Sequence, residues 1–166
     1  MKGFLLGCAS DSRKARRIPS SRRLTARKIK KMDCIFCAII TGDIPAATVY
    51  EDEHIFAFMD IAPANPGHTL LIPKQHYRNI FDMPTEMGSK IMQAAIPLAN
   101  AIRTALNADG LNLVQSNEAA GFQTVFHFHL HLIPRWEGDP LRLPWRPSEG
   151  DMEEIGNIAA KIREAL

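Results

Sequence analysis

Apolar and polar positions along this chain change period several times, and each change marks an element. From Thr85 to Asn107, Ile91, Ala95, Leu98, Ile102 and Leu106 recur every three or four residues, which lines them along one side of a helix. Gly110 follows its end, and Pro97 inside it predicts a kink. Asp151-Met152-Glu153-Glu154 reads as the capped start of a second, C-terminal helix with Ile155, Ile158, Ile162 and Leu166 on one face. Short β-branched and aromatic runs predict strands: Thr48–Glu51 and His54–Met59 as a hairpin about Asp52-Glu53, His68–Pro73, and Leu111–Ser116. The last strand, His127 to Arg135, puts a histidine at every second position, so Phe128, Leu130 and Leu132 face a core while His127, His129 and His131 stand in a row on the other side.

Composition divides the chain into a tail and a body. Residues 1–32 hold eleven Lys/Arg and one acid, whereas the remaining 134 residues hold nine bases and seventeen acids. The first 32 residues therefore read as a basic disordered extension of charge +10 ahead of the first motif. The body, at −8, argues against a broad nucleic-acid surface. No run approaches the length of a membrane span. Three cysteines, two of them in Cys34-Ile35-Phe36-Cys37, suit a reducing, cytoplasmic compartment better than a disulfide framework.

The chemistry concentrates in histidines. Three alternating imidazoles have six ring nitrogens to satisfy and pKa values near neutrality, which a purely structural row does not require. A neutral imidazole attacks phosphorus if its other nitrogen donates to a fixed acceptor, and His129, flanked on both sides, is the natural attacker. His68 opens a strand and His76 lies just beyond its end; only His54 finds no place. The Cys34/Cys37 pair is either a redox couple or half a zinc site. No βαβ unit precedes it, so two further ligands are expected elsewhere.

Residues 33–136 resemble the histidine-triad (HIT) superfamily. His127-Phe128-His129-Leu130-His131-Leu132-Ile133 fits its signature at every position, and Asp60-Ile61, Pro63 and His68 through Lys74 fit its upstream block. The resemblance implies an α+β fold, a twisted antiparallel sheet with one long and one C-terminal helix, extended by homodimerisation. On this view 33–140 is the HIT domain and 141–166 an irregular segment and helix belonging to it. It further implies His129 as nucleophile, with His131, His68 and Thr124 completing the catalytic set. Ile35, Phe36, Phe58, Asp60 and Ile61 would hold the nucleoside, Asp60 accepting from the ribose, while Asn117 and Gln123 contact phosphate. Structural zinc would sit on Cys34, Cys37, His76 and His127. One departure stands out, because Gly121-Phe122-Gln123 replaces the usual Gly-Gly-Gln and brings a bulky Phe122 to the leaving-group side.

The function so implied is hydrolysis or transfer of nucleoside 5′-monophosphate conjugates, purine phosphoramidates first, through a nucleotidyl-histidine. The acid at position 60 resembles the phosphoramidase (Hint-like) branch. Leu132-Ile133-Pro134-Arg135 is more similar to the dinucleoside-polyphosphate (Fhit-like) branch. Two readings of other kinds compete: a nucleotide-binding regulatory module whose basic arm reaches nucleic acid, and a catalytic zinc held by two triad histidines.

Overall fold

The computed structural model describes residues 34–142 and 148–166. The basic extension expected over residues 1–32 lies outside them. The fold is α+β. Its sheet contains β1 (Thr48–Glu51), β2 (Ile55–Met59), β3 (Thr69–Pro73), β4 (Gly110–Gln115) and β5 (Leu130–Arg135), in the order β1-β2-β3-β5-β4 and antiparallel throughout. The helices are α1 (Ile35–Ile40), α2 (Thr85–Leu106) and α3 (Met152–Glu164).

The central strands are apolar at nearly every position because both of their faces are covered. Ile55, Ala57, Leu71, Phe128, Leu130 and Leu132 pack with Met87, Ile91, Ala94, Ala95, Leu98 and Ile102 of α2. On the opposite face Phe56, Phe58, Leu70 and Ile72 pack with Cys34, Phe36 and Cys37. Register places the chemistry on this second face. Phe58 pairs with Leu70, Leu70 with His131 and His131 with Val114, one transverse row across four strands.

α2 runs through Pro97 without interruption to Asn107, which closes it in the left-handed conformation (φ 49°). Leu106, expected on the buried stripe, is partly exposed and instead covers Gly67. Gly67 has a positive φ of 88°, and a Cβ there would collide with Leu106 Cδ1. The loop before His68 is thus pressed against the end of α2.

Two elements differ from the sequence pattern. α1 was not signalled: six residues with apolar side chains almost throughout carry no amphipathic period, yet they wind from Cys34, whose carbonyl accepts the Ala38 N–H at 3.1 Å. The histidine strand is shorter than its alternation suggested. Both ladders of β5 end at Leu130, opposite Leu71 and Gln115. Upstream, the His127 N–H turns back to the Val125 carbonyl at 2.9 Å and the Phe128 N–H leaves the sheet for the Tyr77 carbonyl at 2.7 Å. Pro73, with no N–H to give, ends β3 at the same level. The in-and-out alternation survives without the ladder.

α3 starts as expected, with Asp151 Oδ1 accepting the Glu153 and Glu154 N–H groups at 2.8 and 3.0 Å. Its Ile155, Ile158 and Ile162 are exposed. Among the described residues no helix is long and apolar enough to cross a membrane.

Candidate active site

Winding Cys34–Cys37 into the first turn of α1 places the two thiols three residues apart on one side of a helix. The turn after β3 brings His76, and the segment before β5 brings His127. Cys34 Sγ lies 3.5 Å and Cys37 Sγ 3.7 Å from His127 Nδ1, and Cys37 Sγ lies 3.4 Å from His76 Nδ1. All four ligand atoms fall within 4.8 Å of one another. A tetrahedron with Zn–S of about 2.3 Å and Zn–N of about 2.0 Å has S···N edges of roughly 3.5 Å, so the donor set fits a four-coordinate zinc. His127 Nε2–H donates to the Pro73 carbonyl at 2.8 Å. A carbonyl only accepts, so the lone pair of His127 is on Nδ1, among the thiols.

The same reasoning assigns the other imidazoles. His129 Nδ1–H donates to the His127 carbonyl at 2.7 Å, which leaves a lone pair on His129 Nε2. The Ala64 N–H donates to His68 Nδ1 at 3.1 Å, so the proton of His68 is on Nε2. That proton goes to His131 Nδ1 at 2.8 Å, and His131 must therefore carry its own proton on Nε2. One histidine is left with a lone pair and its neighbour with a donor, their ring centroids 4.9 Å apart. Asp60 Oδ2 lies 3.6 Å from His68 Nδ1; the Ala64 N–H already occupies that nitrogen, so the pair makes no salt bridge while His68 is neutral.

Neutrality is what the surroundings impose. Burial pushes His131 down to about 4, with His129 and His68 adding in the same direction and Asp60 opposing. Burial likewise lowers His127 to about 4, against the upward pull of the Pro73 carbonyl. His129 and His68 are lowered by the same desolvation, although the His127 carbonyl pulls His129 upward and Asp60 opposes the shift at both.

The expected nucleoside residues divide between buried and exposed positions. Phe36 and Phe58 are buried edge to face, ring centroids 5.5 Å apart, and Phe36 also meets His129 at 5.3 Å. Ile35 and Ile61 are exposed, Ile61 at 95%. Asp60 Oδ1 accepts the Ala62 N–H at 2.8 Å.

Of the residues expected to contact phosphate, Gln123 and Asn117 are engaged within the protein. Gln123 Nε2 donates to the Arg78 and Val125 carbonyls at 2.6 and 3.0 Å, and its Oε1 accepts the Glu118 N–H at 2.8 Å. Asn117 Oδ1 accepts the Ile80 N–H at 3.0 Å, and its Nδ2 donates to Gln115 Oε1 at 2.6 Å. Thr124 lines a cleft of about 420 Å³ together with Cys34, Ile35, His76, Arg78, Asp82, Val125 and Phe126. Arg78, Glu118 and Phe126 went unnoticed in the sequence. An isolated Arg, Glu and Phe carry no motif, and only the fold brings them together.

Comparison with known proteins agrees with this geometry. Residues 41–138 match the HIT domain family. The protein named hit from Bacillus subtilis is 42% identical over 137 residues, 81% of this chain and 94% of its own length. The adenosine 5′-monophosphoramidase HNT1 of Saccharomyces cerevisiae is 37% identical over 134 residues, 80% of this chain and 82% of its own. Among solved structures, a zinc-bound histidine triad family protein from Mycobacterium smegmatis superposes with a TM-score of 0.65 at 40% identity, covering 82% of this chain and 99% of that one.

Proposed function

Because this chain belongs to the HIT-domain family, we propose that it cleaves nucleoside 5′-monophosphate conjugates, purine phosphoramidates first, through a nucleotidyl-histidine on His129. The observation that carries the reading is the paired tautomers. His129 Nδ1–H is fixed on the His127 carbonyl, leaving Nε2 as nucleophile, while His131 is held with a donor on Nε2.

In the first step His129 Nε2 bonds to the α-phosphorus and the bond from phosphorus to the leaving group breaks. The leaving group departs with a proton taken from solvent, and the His131 Nε2–H steadies a phosphoryl oxygen. Water then bonds to phosphorus as the N–P bond breaks and gives a proton back to solvent, which releases the nucleoside monophosphate and restores His129. Ile35 and Ile61 cover the base above the Phe36/Phe58 floor, Asp60 receives the ribose hydroxyls, and Thr124 meets phosphate. Asn117 and Gln123 support that contact through the loop they hold.

Among the alternatives, a dinucleoside polyphosphate asks for cationic groups along the polyphosphate. Arg135 offers none, since its guanidinium is spent on Asp139, Asn112 and the Leu141 carbonyl. The name of the yeast relative, a monophosphoramidase, points the same way.

Cys34, Cys37, His76 and His127 would hold zinc, which when bound ties α1 to the triad segment. Among the described residues β4 is an edge of the sheet, with Leu113 and Val114 exposed, and pairing of two such edges would give the homodimer. A cysteine pair placed for a metal rather than for a disulfide suits a reducing, cytoplasmic setting.

The test is to incubate the protein with adenosine phosphoramidate, quench, and look by mass spectrometry for adenylate on residues 126–135. Adenylate on His129, absent in His129→Ala together with turnover, is expected. Wild-type turnover by His129→Ala would overturn the reading.

A further inference from the structure

The loop between β4 and the triad is held in a conformation its residues disfavour. Glu118 has φ 61° and ψ 169°, a region occupied essentially by glycine, and Phe122 sits at φ 65° and ψ 21°. Two such residues within five positions persist only where the surroundings enforce them.

What enforces them is the turn at residues 78–82. Arg78 Nε and Nη2 donate as a fork to the two carboxylate oxygens of Glu118, both at 2.7 Å. Asn79 Nδ2 adds a third bond to Glu118 Oε1 at 2.6 Å. The Arg78 carbonyl takes Gln123 Nε2–H, so one residue grips both ends of the loop. Its guanidinium also lies 4.0 Å over the Phe126 ring, which fixes its plane. Immediately after the second grip, the Thr124 N–H and hydroxyl form no hydrogen bond among the described residues.

We propose that Arg78 is the positioning residue of this anion-binding loop: its fork on Glu118 keeps the loop in the strained shape that leaves the Thr124 N–H and hydroxyl free for phosphoryl oxygens. The pair is half exposed, and an exposed ion pair adds little to global stability. Its contribution is to geometry. The residue just before this turn meets the triad segment directly, since the Tyr77 carbonyl accepts the Phe128 N–H, so loop and nucleophile share one support.

This inference rests on the phosphate-transfer reading above, and the experiment separates the two. In the full-length, metal-loaded chain, Arg78→Ala and Arg78→Lys are compared with wild type by amide hydrogen exchange, adenosine 5′-monophosphate titration and phosphoramidate kinetics. For Arg78→Ala, faster exchange confined to residues 117–124 is expected, with the nucleotide Kd and KM raised about tenfold and kcat nearly unchanged. Melting temperature should stay close to wild type. Arg78→Lys, a charge without a fork, should recover part of the affinity.

Unchanged exchange and Kd in Arg78→Ala would overturn the proposal. A fall in kcat at constant KM would overturn it too, since Arg78 would then touch the reacting groups. If wild type itself fails to bind the nucleotide, the functional reading falls, and the exchange data still decide whether Arg78 holds the loop.

Discussion

A single backbone N–H, that of Ala64, decides which nitrogen of His131 carries the proton, because it forces His68 to donate from Nε2. The arrangement requires both rings neutral, and this has a consequence for stability. Burial lowers His131 from the usual 6.5 to about 4 in the folded state. Between those two values the unfolded chain binds more protons than the folded one, so stability is intact above pH 6.5 and declines as pH falls toward 4. For this residue the loss between pH 7 and 4.5 is on the order of 2 kcal/mol. His131→Asn keeps an acceptor for the His68 proton and has nothing to titrate. Urea unfolding at the two pH values should show wild type losing more stability than His131→Asn; equal losses would mean that His131 does not titrate as its burial demands.

At the scale of elements, the loop that delivers Ala64 and His68 depends on Gly67. Its φ of 88° and the closeness of Leu106 and Pro134 leave no room for a Cβ. Gly67→Ala should cost about 1–3 kcal/mol from overpacking and about 1 kcal/mol more from the left-handed backbone, read as a lower urea midpoint. A midpoint equal to wild type would show that α2 yields at Leu106.

How much of this was legible in sequence follows from which elements have a period. α2, the β1–β2 hairpin and the capped start of α3 did, and they lie where expected. α1 did not, since six residues apolar on every side satisfy neither rule. The alternation from His127 to Leu132 sorted the faces correctly but hid the end of the ladder at Leu130, because side-chain burial and backbone pairing are separate constraints. Among candidate site residues, those within a motif could be found. Arg78 and Glu118 are 40 residues apart, and their contact exists only once β3, β4 and the intervening helix are assembled.

For the whole molecule the decisive cluster is Cys34, Cys37, His76 and His127, which joins α1, the turn after β3 and the approach to β5. Without an ion, two thiols and two imidazoles converge inside about 4.8 Å with few donors between them, an arrangement that burial alone does not favour. Zinc held there would turn that convergence into a staple between segments up to 93 residues apart, and it would be separate from the proposed nucleophile, which uses the His127 carbonyl rather than its ring. Removal with a strong chelator should therefore lower the melting temperature by more than about 10 °C, the effect of a few kcal/mol on a chain of this size. Re-addition of zinc should restore it. Metal analysis divides the structural reading from a catalytic zinc on the triad: one zinc per chain is expected in wild type and in His129→Ala, and none in Cys37→Ser. Zinc lost from His129→Ala but kept by Cys37→Ser would move the ion onto the triad and remove His129 as a free nucleophile.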